Sequence, residues 1–307
     1  MTVIQAPSRL CIYSNADRRG TLKFLNQIDS IVLKGNRNVT IDLSNVSFAS
    51  AAASVLLFAI VNRAQFLLKD ANYIRFSWPK KEHNPGGHRW IVSTGLSVAL
   101  LAGNPAKLAS LTKEERFFQS AVEPFIHLME TATMLQKRAV LTPDQFSLLA
   151  SAISEAMLNV SHHAYEDDMF KSQLAMLGGK RWWQCAWFNA DENEVVFIIC
   201  DLGLGIYGSF GTLDGDLDQQ NEVSSVMKAL TLGESRFVGL GRGNGSEDIK
   251  RPIGSGCAES EKLLVLTGHA RYSYNSQDAM PRCERLAEFI PGTLVQWSLV
   301  PRRGEHD

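Results

Sequence analysis

Glu155, Asn159 and His163 stand four residues apart along the segment Glu155-Ala156-Met157-Leu158-Asn159-Val160-Ser161-His162-His163. On an α-helix, side chains at that spacing project along one side, so a carboxylate, an amide and an imidazole would share one pocket. Binding a nucleoside triphosphate needs a magnesium ligand, and hydrolysis or transfer needs a base that orients or deprotonates the attacking group. Asn159 suits the first role and Glu155 the second. Taken alone, the same spacing also describes the solvated side of an amphipathic helix.

A second constellation, Asp201-Leu202-Gly203-Leu204-Gly205-Ile206, follows directly on the apolar run 195–200. The carboxylate ends a strand and two glycines let the backbone turn tightly. An aspartate so placed accepts a hydrogen bond from an exocyclic amine such as that of adenine. Asp-x-Gly is also an ordinary Asx-turn sequence. A third, Gly239-Leu240-Gly241-Arg242-Gly243-Asn244-Gly245, places glycine at four alternating positions before a short helical run at 246–249. Backbone amides in such a loop, aimed with a helix N-terminus, form an anion cradle, although a single glycine-rich turn is weak evidence by itself.

The elements that must position these groups are legible. Thr142, Pro143, Asp144 and Gln145 supply an N-cap, a first-turn proline and a capping-box glutamine. Phe146, Leu149, Ala150, Ile153, Ala156, Met157 and Val160 then hold helical spacing, so one face must pack on a sheet. Residues 182–188 and 195–200 read as an antiparallel hairpin around Asp191-Glu192-Asn193. Strand runs at 263–267 and 270–274 flank Gly268-His269, and a last strand, 293–300, follows a Pro291-Gly292 turn.

Glu-x-x-x-Asn, then Asp-x-Gly-x-Gly-Ile, then Gly-x-Gly-x-Gly, in that order over roughly 143–300, resembles the N-box and the two glycine boxes of GHKL ATPases. The resemblance implies a Bergerat-type α/β sandwich, a mixed sheet covered by helices on one face, that binds ATP with Mg2+. It makes Glu155 the catalytic base, Asn159 the magnesium ligand with His163 beside it, and Asp201 the adenine reader supported from Thr293. Gly203, Gly205 and Ile206 would floor the base, and Gly241, Arg242, Gly243, Asn244 and Gly245 would line the phosphates. Residues 207–240 would form a lid over the nucleotide, with a short helix at 223–230, and Arg236 and Lys250 could also reach phosphate oxygens. The sequence departs from the pattern at Ser246, where an apolar residue is usual, and at Pro252, which cuts the following helix short.

Upstream, strand and helix signals alternate at 10–13, 21–33, 39–43, 51–68 and 73–78, an α/β order with parallel strands. The run Val39-Thr40-Ile41-Asp42-Leu43-Ser44-Asn45-Val46-Ser47-Phe48-Ala49-Ser50, followed by an alanine-rich helix, resembles the central strand, loop and helix of STAS domains. Where that family carries a phosphorylated serine this chain has Ala52, so the resemblance implies a docking or structural role. A polar loop at 79–87 precedes an amphipathic helix at 90–101, and a helical pattern at 113–137 is expected to break at Pro124. His127 lacks the flanking residues of a phospho-acceptor histidine and reads as an ordinary helix position.

Domains are accordingly expected at 1–112 (STAS-like), 113–141 (helical connector) and 142–307 (GHKL-like). Hydrophobic residues make up 45% and charged residues 21%, which excludes disorder as the dominant state. A net charge of -1 without a basic stripe suggests no nucleic acid. The five scattered cysteines, Cys11, Cys185, Cys200, Cys257 and Cys283, have no Cys-x-x-Cys pair that would imply zinc, and three of them, in apolar, strand-like surroundings, read as buried thiols. The apolar stretch 51–61 is too short to span a bilayer, so a cytoplasmic protein without membrane contact is expected. The expected function is an ATPase or protein-kinase-like switch whose nucleotide state controls a protein partner, with a homodimer among the forms such a partner could take. Alternatives are a non-catalytic ATP-gated interaction module and a serine/threonine kinase acting on a separate STAS-type partner.

Overall fold

The computed structural model describes residues 2–139, 141–211, 222–231 and 245–302. The chain divides into two compact units, Met1–Ala121 with Lys171–Cys185, and Val122–Phe170 with Ala186–Asp307. Each combines sheet with flanking helices, a mixed α/β fold.

In the first unit β1 (Thr2–Gln5), β2 (Arg9–Leu10), α1 (Asn15–Asp29), β3 (Val39–Asp42), β4 (Phe48–Ala49), α2 (Ala51–Leu68) and β5 (Ile74–Ser77) follow in order. β3 and β5 are parallel as expected, and β1, which the sequence reading did not mark, completes their sheet in the order β1-β3-β5. Beyond it the chain pairs a second time, β2 with β4, so that Arg9 lies opposite Phe48. The strand expected at 10–13 stops at Leu10. Arg18 is the reason: its guanidinium takes the carbonyls of Ile12 and Tyr13, at 2.8 and 3.0 Å, away from any ladder.

α2 occupies the expected residues 51–68, with the Ser50 hydroxyl accepting from Ala53 N at its start. It is long and apolar enough to cross a membrane by composition, yet 78% of it is buried inside the protein. A helix apolar all round must be covered all round. Two of its polar members bond internally: Asn62 donates to Ala102 O at 2.9 Å and accepts from Trp183 Nε1 at 2.8 Å, and Gln65 donates to Leu100 O.

Where one helix was expected at 90–101, α3 (Pro85–His88) runs into a π-helical turn, Arg89–Ser93. Gly95 at φ +83° breaks it before α4 (Leu96–Leu100). α5 (Pro105–Lys113) is followed by β6 (Phe118–Ala121), a strand inside the expected helical pattern. Pro124 opens α6 (Pro124–Arg138) instead of interrupting it, because a first-turn proline forfeits no helical hydrogen bond. His127 is buried in α6 with Glu130 Oε2 3.6 Å from its Nδ1. After α7 (Pro143–Asn159) the chain returns to the first unit with α8 (Lys171–Leu177) and the start of β7 (Trp182–Asn189). There β6 pairs antiparallel with β7, Phe118 opposite Cys185. Arg181 ties Ser120 Oγ to Leu177 O.

The second unit holds α6, α7, β8 (Glu194–Cys200), α9 (Gly205–Gly211), α10 (Glu222–Thr231), α11 (Gly245–Lys250), β9 (Ala258–Asn275) and β10 (Arg282–Pro301). β7, β8, β10 and β9 are neighbours in that order. β10 runs antiparallel to both β8 and β9, where a mixed sheet was expected. The two runs around Gly268 form one strand, β9, because Gly268 at φ +53° absorbs an irregularity without ending the ladder. Pro291-Gly292 is likewise a kink within β10, with register shifts at Ile290 and Thr293. The expected capping box on α7 is present in both directions, and Gln145 Nε2 also donates to Cys257 O. All five cysteines are free thiols; Cys11, Cys185 and Cys200 are buried, and Cys257 and Cys283 partly exposed.

Candidate functional site

Glu155 and Asn159 sit in the last turns of α7, half-buried, while Leu149, Ile153, Ala156 and Met157 face the interior. The Asn159 side chain hydrogen-bonds Glu155. α11 packs on α7 and brings Asp248 near the same carboxylate. Burial raises the proton affinity of Glu155, the Asp248 charge raises it further, and the Asn159 bond opposes both. A carboxylate tuned upward in this way is better matched to accepting a proton near neutral pH.

α7 does not end at Asn159 but widens into a π-helical turn, Val160–Ala164, an irregularity frequent at functional sites. Continued α-spacing would have aligned His163 with Glu155 and Asn159. The wider turn changes that alignment, and His163 Nδ1 instead lies 3.9 Å from Glu166 Oε1. The π turn delivers Ala164 and Tyr165 to the Asp201 loop: Ala164 O accepts from Leu204 N at 2.8 Å and the Tyr165 hydroxyl from Leu202 N at 3.1 Å. A Cβ on Gly203 would lie 1.9 Å from Ala164 O, so only glycine permits this approach.

Asp201 is 5% exposed. Its Oδ1 accepts from Gly203 N at 2.8 Å, its own N–H donates to Thr293 O, and the Thr293 side chain hydrogen-bonds its carboxylate. Desolvation dominates these bonds and pushes the acid up to about 6. At the other end of the turn, Gly205 adopts φ +75°, with Ile206 N donating to Thr267 Oγ1, which donates to Gly292 O. Gly292 in turn lies against Asp201: a Cβ there would come within 2.1 Å of the Asp201 carbonyl.

The π turn that follows α7 and the Asp201–Ile206 turn are thus held together by one backbone bond and one bond to the Tyr165 hydroxyl. Three residues that hold this arrangement, Tyr165, Thr267 and Gly292, and one whose charge acts on Glu155, Asp248, had no role in the sequence reading of the site. Thr267 carried a usable signal, since it ends a strand run and precedes Gly268, but its partnership with Thr293 is a matter of register that spacing does not disclose. The expected helix at 223–230 is α10, and its Glu222 accepts from His269 N at 2.8 Å. Gly241, Arg242, Gly243 and Asn244, like Arg236, lie outside the described residues, and Gly245 is the first residue of α11.

Among the described residues no trio of His, Cys, Asp or Glu could hold a metal ion. A magnesium ion on one amide oxygen and substrate phosphates needs no such trio. Set against family models, curated proteins and solved structures, the chain matches none of them.

Proposed function

We propose that the second unit binds ATP with Mg2+ in the manner of GHKL ATPases and uses the nucleotide state to control a protein partner. The observation that carries this reading is Asp201. It is a buried acceptor whose charged form is held at a cost by Thr293 and Gly203 N, and which an exocyclic amine would complete. Gly203 and Gly205 let the turn pack closely against Ala164 and Thr267, which fixes the backbone beside Asp201.

Asn159, fixed by Glu155, would hold the magnesium ion, which supplies charge neutralisation at the phosphates when bound. Glu155, with its raised proton affinity, would orient water or a protein hydroxyl and take its proton. His163 would stand at the edge of the site, and Gly241, Arg242, Gly243, Asn244 and Gly245 would meet the phosphates. In the first unit, Ala52 is buried and Ser50 caps α2, which supports a STAS-like docking role over phosphorylation.

Calorimetric titration with Mg-ATP tests the proposal. Wild type should bind, Asp201→Asn should not, and Glu155→Ala should bind without turnover. Equal, tight binding by the Asp201 variant would overturn the assignment.

A further inference from the structure

The chain's net charge of -1 conceals a segregation. The first unit carries 18 Lys and Arg against 7 Asp and Glu, and the second carries 13 against 25. A basic surplus of that size on one compact unit attracts polyanions. Most of it lies in residues 1–121, with 15 Lys and Arg against 7 Asp and Glu, scattered singly and not as a stripe.

One face of the first unit adds aromatic rings to this charge. The Arg9 guanidinium lies 4.6 Å from the centre of the Phe48 ring, Phe48 meets Trp90 edge-on at 5.2 Å, and the Arg89 guanidinium lies 5.5 Å from the Trp90 ring. Arg9 also pairs with Asp17 at 3.1 Å yet keeps 52% of its side chain exposed. Arg89 is exposed, and Phe48 and Trp90 are half-buried. Asn84 fastens the neighbouring loop, donating to Ser44 O and Val46 O at 2.9 and 2.7 Å. That loop presents Lys80, Lys81 and His83, all exposed. Phe76 and Trp78, stacked at 4.8 Å, lead into it from β5. The cluster lies beyond the carboxyl ends of β1, β3 and β5, the end at which parallel α/β sheets receive ligands.

We propose that this face binds single-stranded nucleic acid. Trp90 and Phe48 would stack on unpaired bases, and Arg9, Arg89, Lys80 and Lys81 would contact backbone phosphates. Stacking suits any base, so the site would be sequence-tolerant. A duplex hides its base faces, and an acidic polypeptide offers the rings nothing to stack on.

The test is fluorescence anisotropy of a labelled oligothymidine of about 20 residues, titrated with the full chain at about 50 and 200 mM salt. Binding should weaken steeply between the two. Trp90→Ala should weaken it about tenfold or more while Trp90→Phe retains most of it. Arg89→Ala and Lys81→Ala, both at exposed positions, should each flatten the salt dependence by about one phosphate contact. No binding at the lower salt overturns the proposal, as does wild-type affinity in Trp90→Ala. So does displacement of the oligonucleotide by polyglutamate as effectively as by unlabelled strand, which would mark a site for acidic polypeptide, and so does tighter binding of a duplex.

Discussion

Thr267 and Thr293 face each other in register across β9 and β10, and each holds one end of the turn that carries Asp201. Thr293 binds the Asp201 carboxylate, and Thr267 receives Ile206 N at 3.0 Å. The two threonines therefore separate by experiment: one acts on charge, the other on backbone position.

Thr267→Val removes a fully buried hydroxyl that satisfies both Ile206 N and Gly292 O. Two buried backbone groups lose their partner, and stability should drop by about 1–3 kcal/mol, read from urea unfolding. Retention of wild-type stability would mean that the turn does not depend on this bridge.

Thr293→Val deletes a bond that lowers the proton affinity of Asp201, so the acid should titrate higher than in wild type. Nucleotide affinity at neutral pH should fall, and stability should fall with it above about pH 6, because the ionised acid loses a donor, while below 3.8 stability should change little. Titration of the Asp201 carboxyl by carbon-detected NMR gives the direction of the shift directly.

Asp201 itself links stability to pH. Its folded-state value of about 6 lies above the ordinary aspartate value of 3.8, so folding favours the protonated acid. The group stabilises the fold most below 3.8, and the benefit is lost as pH rises through 3.8 to about 6. Asp201→Asn, neutral at every pH, should raise stability at pH 7 by about 1–3 kcal/mol and flatten this part of the profile. The same variant should lose nucleotide binding, so stability and function would move in opposite directions.

Glu155 must be ionised to accept a proton, so turnover should rise with pH along a limb set by its raised value. Asp248→Asn removes the second cause of that rise and should shift the limb to lower pH. A pH profile that coincides with wild type would show that Asp248 does not act on the base.

Asn62→Leu would leave Trp183 Nε1 and Ala102 O unpaired in the interior of the first unit. A loss of about 1–3 kcal/mol is expected, measured by thermal unfolding and quenching of the buried tryptophan. An unchanged midpoint would mean the indole finds another acceptor.

Local chemistry explains what the sequence disclosed. The Thr142 capping box, the run of α2 from Ser50 to Lys69, and the strands β3 and β5 all follow from signals within a few residues of each other. Non-local competition explains the differences. Residues 118–121 have helical neighbours but are claimed by β7 some sixty residues later, and the Gly268 and Gly292 irregularities are tolerated because each strand's partner continues past them. In the candidate site, the sharing of one helix side by Glu155 and Asn159 and the place of Asp201 at a strand end were legible from residue type and spacing. The π turn that changes the alignment of His163 was not, since nothing in Val160–Ala164 marks where the helix widens.

The first unit closes only when Lys171–Cys185 comes home, for Trp183 and Arg181 belong to its interior. During vectorial synthesis its earlier residues would therefore wait, with the Asn62 side of α2 uncovered, until the ribosome had passed residue 185. The order in which this polypeptide matures is thus not the order in which it is written.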